Sequence, residues 1–255
     1  MTGIRTITKK ELRTYFTSPI AYVVFTVFSV LAGFFFYSLI NWFNSLSFQL
    51  SQNPSYYAQL NINQQVFAPL FHNLSVILLL MIPLLTMRLF AEEKRNGTEE
   101  MLYTSPISVG RIILGKFFAA LIVLLGMLVL AALPLGFAFL YGNPEIPAFL
   151  TGFLGLFLMG AAFIALGLFF SSLTENQIVA AVLTFGALLL FWIVNWAASA
   201  ASGLGRSVLE YVSILGHFDN LTRGILDTTD IVYYLSFIFL GLFLTHAVIQ
   251  SRRWR

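Results

Sequence analysis

The 255-residue chain has no cysteine, so disulfides, thiol catalysis and cysteine-ligated metals are excluded outright. Charge is nearly as scarce. Asp, Glu, Lys and Arg make up 10% of the residues, against roughly 25% in soluble domains. Hydrophobic residues make up 58% and aromatic ones 16%. A soluble globule of this size could not hide so much apolar surface, which excludes a water-soluble enzyme or nucleic-acid-binding domain. The net charge of +3 reflects where Lys and Arg stand around a membrane and implies no nucleic-acid partner.

What is present are long apolar runs. About 20 apolar residues in a helix cross a hydrocarbon core of roughly 30 Å. Six windows qualify, at about 20–40, 70–89, 112–140, 149–170, 178–201 and 231–249, and none contains an acidic residue. The alternation of a membrane β-barrel is absent, which leaves an all-α integral membrane protein with six transmembrane helices. The whole chain, 1–255, reads as one transmembrane domain. Arg88 and Lys116 sit at span ends, where long side chains snorkel to the headgroups. The first span has a basic start but is too long for a signal peptide and lacks a cleavage site, so it reads as retained.

Of the 14 basic residues, 12 fall on one side: Arg5, Lys9, Lys10 and Arg13; Arg88, Lys94, Arg95, Arg111 and Lys116; and Arg252, Arg253 and Arg255. The opposite side has only Arg206 and Arg223. The positive-inside rule then places both termini in the cytoplasm of a multi-pass cell (inner, cytoplasmic) membrane protein. Trp42, Trp192 and Trp196 fall toward outer ends and Trp254 beyond an inner end, as interfacial anchors.

Residues 3–17 form an amphipathic helix with Ile4, Ile7 and Tyr15 on one side and Arg5, Lys9, Arg13 and, less well, Lys10 on the other. Such a helix lies along the lipid interface. Glu11 falls oddly on its apolar side. Ser18-Pro19 separates it from the first span. Residues 41–69 read as an uncharged polar outer loop, and 141–147 as a tight outer turn. Thr174 and Gln177 have capping-box spacing for the fifth span. Between 203 and 230, Asp219, Arg223 and Asp227 are spaced by four and would stack on one helix face. With His217 they are candidates for an outer gate or re-entrant element. Pro83 and Pro134 are expected to kink their spans. Small residues at Gly160–Ala162, Ala165, Gly167 and 197–202 allow close helix packing.

Several motifs are rejected. Gly110–Phe117 matches a phosphate loop except at its last position, where Phe117 replaces the Ser or Thr that would hold Mg²⁺, and no strand precedes it. The chain has no nucleotide site of its own. His72, His217 and His246 lie in separate segments without ligands at metal spacing. No Ser/His/Asp arrangement stands out, so no residue is assigned as catalytic. No carboxylate pair lies within a span, against a proton- or sodium-coupled carrier.

The informative stretch is Arg88–Lys116. Glu92, Glu93, Lys94 and Arg95 extend the second helix beyond the membrane, and Asn96-Gly97 ends it. Thr98 or Asn96 caps a new helix with Glu99 and Glu100 in its first turn. Met101, Leu102 and Tyr103 follow, and Ser105-Pro106 stops it. A helix this short is marginal alone and carries apolar groups into water, which favours docking on another protein. Four of the 11 acidic residues stand within Glu92–Glu100.

The run Glu92–Ser108, followed by Gly115-Lys116-Phe117, resembles the signature of ABC-2 type transporter permeases. Lys9–Arg13, Ser18–Tyr22 and Gly216–Gly224 resemble the gliding-motility-type subgroup. The resemblance implies a permease dimer, with a second or homologous copy, above two ATPase subunits that bind ATP and Mg²⁺. It implies a coupling helix at about 96–105 seated in the ATPase, an interfacial connecting helix at 3–17 containing Lys9, Lys10, Glu11 and Arg13, and outward re-entrant helices at about 206–230. An auxiliary membrane protein with an extracytoplasmic domain often accompanies the subgroup. The expected function is the permease subunit of an ATP-driven exporter, without enzymatic activity or a cofactor of its own. The alternatives are an ATP-independent carrier or channel, and a membrane scaffold.

Overall fold

A computed structural model describes residues 2–50, 61–98, 107–141, 144–200 and 202–253. The described residues are helical, with no strand among them. Ten α-helices are found there: α1 (Thr2–Thr17), α2 (Pro19–Leu50), α3 (Ala68–Thr86), α4 (Arg88–Arg95), α5 (Val109–Tyr141), α6 (Ile146–Leu173), α7 (Gln177–Ala200), α8 (Leu204–Val212), α9 (Ile214–Thr222) and α10 (Thr228–Arg253). Among the described residues six stretches are long and apolar enough to cross a membrane: α2, α3 with α4, α5, α6, α7 and α10. The protein is therefore a multi-pass membrane protein of six spans.

The spans are longer than the hydropathy windows. α2 has 32 residues, which at about 1.5 Å per residue gives roughly 48 Å, well beyond the hydrocarbon core. Residues 41–50 are thus helix, and the expected outer loop does not begin at 41. Their polar composition reports contact with water. It does not break a helix, since the run Asn41–Leu50 has neither Gly nor Pro. A single π-helical turn, Asn63–Phe67, then feeds α3. Residues 51–60 of that expected loop lie outside the described residues, as do 142–143 of the expected outer turn.

The fourth span, α6, is the central post, packed by α3, α5, α7, α9 and α10. Its small residues make this possible. A Cβ on Gly167 would lie 2.1 Å from the Thr86 hydroxyl of α3, and one on Gly241 of α10 would lie 2.9 Å from the Ala165 backbone. Close approach between helices in lipid depends on such contacts, because the tails supply no hydrophobic drive toward association. At the α8–α9 end, Phe139, Phe149 and Phe153 pack with centroids 4.8–4.9 Å apart between successive rings.

Two details differ from the sequence expectation. The cap of α7 is Asn176, whose Oδ1 accepts from Ile178 N at 2.9 Å; Thr174 instead accepts from Asn176 N at 3.1 Å. Asn outranks Thr as a cap, and a helix start one residue beyond it hands it the role. Pro134 lies inside α5, which runs unbroken past it, while a one-residue interruption at Met87 follows Pro83.

Candidate functional site

α1 is amphipathic as expected, but its inner side docks on protein. It crosses α5 at Gly115, where a Cβ would lie 2.7 Å from Ile7, and Thr8 Oγ1 donates to Gly115 O at 3.0 Å. That crossing lowers Glu11, the residue out of place on the apolar side, onto Lys116. The Lys116 ammonium lies 2.9 Å from Glu11 Oε1, 2.9 Å from Glu93 Oε2 and 2.6 Å from Leu89 O, so all three of its N–H donors are used. Its side chain is 1% exposed. The expectation that Lys116 snorkels to the headgroups is therefore wrong. About two turns inside α5, it is covered by α1, and buried partners hold it better than a distant interface would.

Lys10 closes the group from the rim, 2.7 Å from Glu93 Oε1 and 3.3 Å from Glu11 Oε1. Two lysines and two glutamates make the cluster neutral. Burial alone would lower the pKa of Lys10, but the hydrogen bond to Glu93 and the charges of both glutamates raise it overall. Beside the cluster, the buried Tyr15 hydroxyl donates to Leu85 O at 2.9 Å, and burial pushes its pKa far up. Arg88 stacks over the Tyr15 ring at 4.6 Å. It too is buried and does not snorkel, and its Nη2 has no hydrogen-bond partner. A cavity of about 520 Å³ opens beside these groups, lined by Tyr15, Arg88, Glu92, Asn96, Thr98 and Ile107 among others.

α4 is clamped to the end of α6. Ser171 Oγ accepts from Phe90 N and Ala91 N at 3.0 and 3.2 Å and donates to Met87 O, while Lys94 Nζ donates to Ser172 O. The helix ends at Arg95. Gly97 has φ +66°, and Gly97 N and Thr98 N donate back to Lys94 O and Glu93 O at 3.0 Å each. Asn96, Gly97 and Thr98 are exposed and Glu92 is half-buried. Glu93 points into the cluster, so its charge is not offered outward as the acidic run alone implied. Glu99, Glu100, Met101, Leu102 and Tyr103, the expected coupling helix, lie outside the described residues.

A second polar group stands at the opposite end of the bundle. Asp219, Arg223 and Asp227 do not share a helix face. α9 stops at Thr222, Gly224 turns the chain at φ +87°, and Asp227 caps α10 through Thr229 N at 2.9 Å. That backbone N–H holds the Asp227 carboxyl below its ordinary range. Arg223 is exposed, and Asp219 meets His72 Nε2 of α3 at 3.1 Å. His217 is sandwiched between acceptors: Nδ1 lies 2.7 Å from Asp230 Oδ1 and Nε2 3.0 Å from Tyr211 O. Its ring stacks on Tyr233 at 4.0 Å, and Asn220 Nδ2 donates to Asp230 Oδ2 at 3.1 Å. His72 and His217 thus bind separate carboxylates, and no group of three metal-ligating side chains occurs among the described residues.

Sequence reasoning missed the partners that matter: Lys116, Arg88, Tyr15 and Asp230. A signal for the first existed. Glu11 and Lys116 are opposite charges, each misplaced on an apolar surface, and pairing them removes both anomalies. Asp230 carried no such signal, since it stands in the first turn of a helix, an ordinary place for an acid.

A family model described as ABC-2 family transporter protein matches residues 5–249. No curated protein matches the chain.

Proposed function

The chain belongs to the ABC-2 transporter family, and on that premise we propose that it is the permease subunit of an exporter driven by a separate ATPase dimer. The observation that carries this reading is the clamp around residues 99–106. The segment leaves from α4, which Lys94 and Ser171 pin to α6, and returns to α5. Glu93 and Glu11 both bind Lys116, so α1, α4 and α5 move as one body. A push on 99–106 reaches both flanks at once, and α6 passes it to the rest of the bundle.

In this reading 96–105 is the coupling helix. Glu92, Glu99 and Glu100 meet basic groups of the ATPase, and Met101, Leu102 and Tyr103 supply apolar contact. The clustered end of the bundle faces the cytoplasm with both termini, in the cytoplasmic membrane, as the distribution of Lys and Arg argues. A second copy or a homologous permease completes the pathway. α8 and α9 form the outward gate, and the subgroup is the gliding-motility type, with an auxiliary extracytoplasmic partner. ATP and Mg²⁺ belong to the partner.

The test is co-purification and stimulated ATP hydrolysis with wild type and with Gly97→Pro combined with Met101→Asp. Loss of both is expected. Unchanged association and unchanged stimulation would sink the reading, and transport that persists with an ATP-dead partner would favour a carrier.

A further inference from the structure

The side of α1 turned away from the cluster is unexplained by anything inside the protein. Arg5, Lys9 and Arg13 stand at intervals of four on one exposed stripe. Lys10 and Lys116 each have carboxylates within 4 Å, whereas among the described residues none lies that close to these three cations. The stripe borders an apolar groove. One wall is the α1 ridge of Ile4, Thr8 and Leu12. The other is Phe118 and Ile122 of α5, both nearly half exposed on a membrane span. Arg5 and Lys9 form the groove's rim. Its volume, about 530 Å³, is within the roughly 300–1,000 Å³ of small-ligand sites. Next to it a polar hollow of about 620 Å³ is lined by Arg5, Lys9 and Arg13 with Thr6, Thr14 and Thr17 among others, so the two share Arg5 and Lys9.

We propose that this paired groove and hollow bind one anionic glycerophospholipid of the adjoining leaflet, with the phosphate on Arg5, Lys9 and Arg13 and an acyl chain between α1 and α5. The charge chooses the headgroup and the groove chooses an amphiphile. A free anion would satisfy the cations and leave the groove unused. An acidic peptide would have to displace lipid tails from Phe118 and Ile122, which face the hydrocarbon. The hollow is lined by α1 alone: Arg5, Lys9 and Arg13, which have no carboxylate within 4 Å among the described residues, the glutamate-paired Lys10, three threonines and no carboxylate, a lining that suits a phosphodiester and rejects a zwitterion's ammonium group. The inference needs only the six membrane spans, and it stands whether or not the partner is an ATPase.

The experiment is native mass spectrometry of the delipidated full chain, titrated with dioleoyl-phosphatidylglycerol or dioleoyl-phosphatidylcholine, which share the same tails. Wild type is expected to retain the glycerol lipid at least about fivefold better, the effect of roughly one basic residue at an anionic surface. R5Q/K9Q is expected to lose that preference, and F118A/I122A to weaken both adducts while keeping the ratio. Lys9→Gln alone is expected to reduce the preference and serves where the double variant is unstable. Equal retention of both lipids by wild type, or an unchanged preference in the charge variants, overturns the proposal. Displacement of the adduct by inorganic phosphate marks a simple anion site, and displacement by a poly-glutamate peptide marks a protein-docking face. Either result also overturns it.

Discussion

Lys116 of α5 and Glu11 of α1 meet at 2.9 Å with the lysine 1% exposed, and this contact joins a helix outside the spans to the interior of the third one. Buried ion pairs are weak evidence for stability, since well-packed apolar residues often replace them without loss. Removing one member is another matter. Lys116→Met removes the buried cation between Glu11 and Glu93 and leaves them only Lys10 at the rim. The expected cost is about 3–5 kcal/mol, read as a lowered midpoint of thermal unfolding in detergent. Adding Glu11→Gln and Glu93→Gln to it is expected to recover most of the loss. A Lys116→Met midpoint equal to wild type would remove the cluster from any structural role.

Gly115 sets how closely α1 lies on α5. A Cβ there would be 2.7 Å from Ile7 and 3.2 Å from Ile4 O, the latter a backbone atom that cannot swing away. Gly115→Val is expected to cost about 1–3 kcal/mol by overpacking and to lift α1. Faster amide exchange over residues 2–17, with exchange in α6 unchanged, is the check. Equal exchange in α1 would show that the helix accommodates the side chain.

Asp230 gathers the elements at the end of the bundle opposite Lys116: His217 and Asn220 of α9 bond its two oxygens, and His217 reaches the end of α8 through Tyr211 O. Asp230→Ala removes the acceptor while leaving Tyr234 OH donating to Ile214 O at 2.8 Å. The expected result is faster exchange across 204–222 and, in the proposed gate, altered transport with the ATPase still bound. Loss of ATPase binding would place the defect elsewhere.

Asn176 and Thr174 give a sharp comparison at the start of α7. Asn176→Ala removes the acceptor for Ile178 N and is expected to cost about 1 kcal/mol. Thr174→Ala removes only the support to Asn176 N and is expected to cost less than half of that. Parallel thermal melts decide between them, and the reverse order would restore the capping-box assignment.

Much of the fold was legible because its main determinants are local. Apolar run length against bilayer thickness gives the six spans, and Gly97 stops α4 by its own backbone freedom. The errors came where a local rule was pressed beyond its reach. Spacing by four places Asp219, Arg223 and Asp227 on one face only if the helix continues, and Gly224 ends it. Polarity in 41–50 marks solvent, and the helix persists through it.

The sequence alone determined the membrane class, the number of spans, the basic stripe of α1 and the small-residue surfaces of α6, since each is a property of neighbouring residues. Only the tertiary structure decided which charges are paired. Glu11 and Lys116 are 105 positions apart, and Lys10 and Glu93 are 83. Whether they meet depends on the rotation and crossing of α1 over Gly115. A charge read alone at a span end belongs to the headgroups. The same charge covered by another helix must find its counterion inside, because in the low dielectric there an unpaired ammonium is too costly to keep.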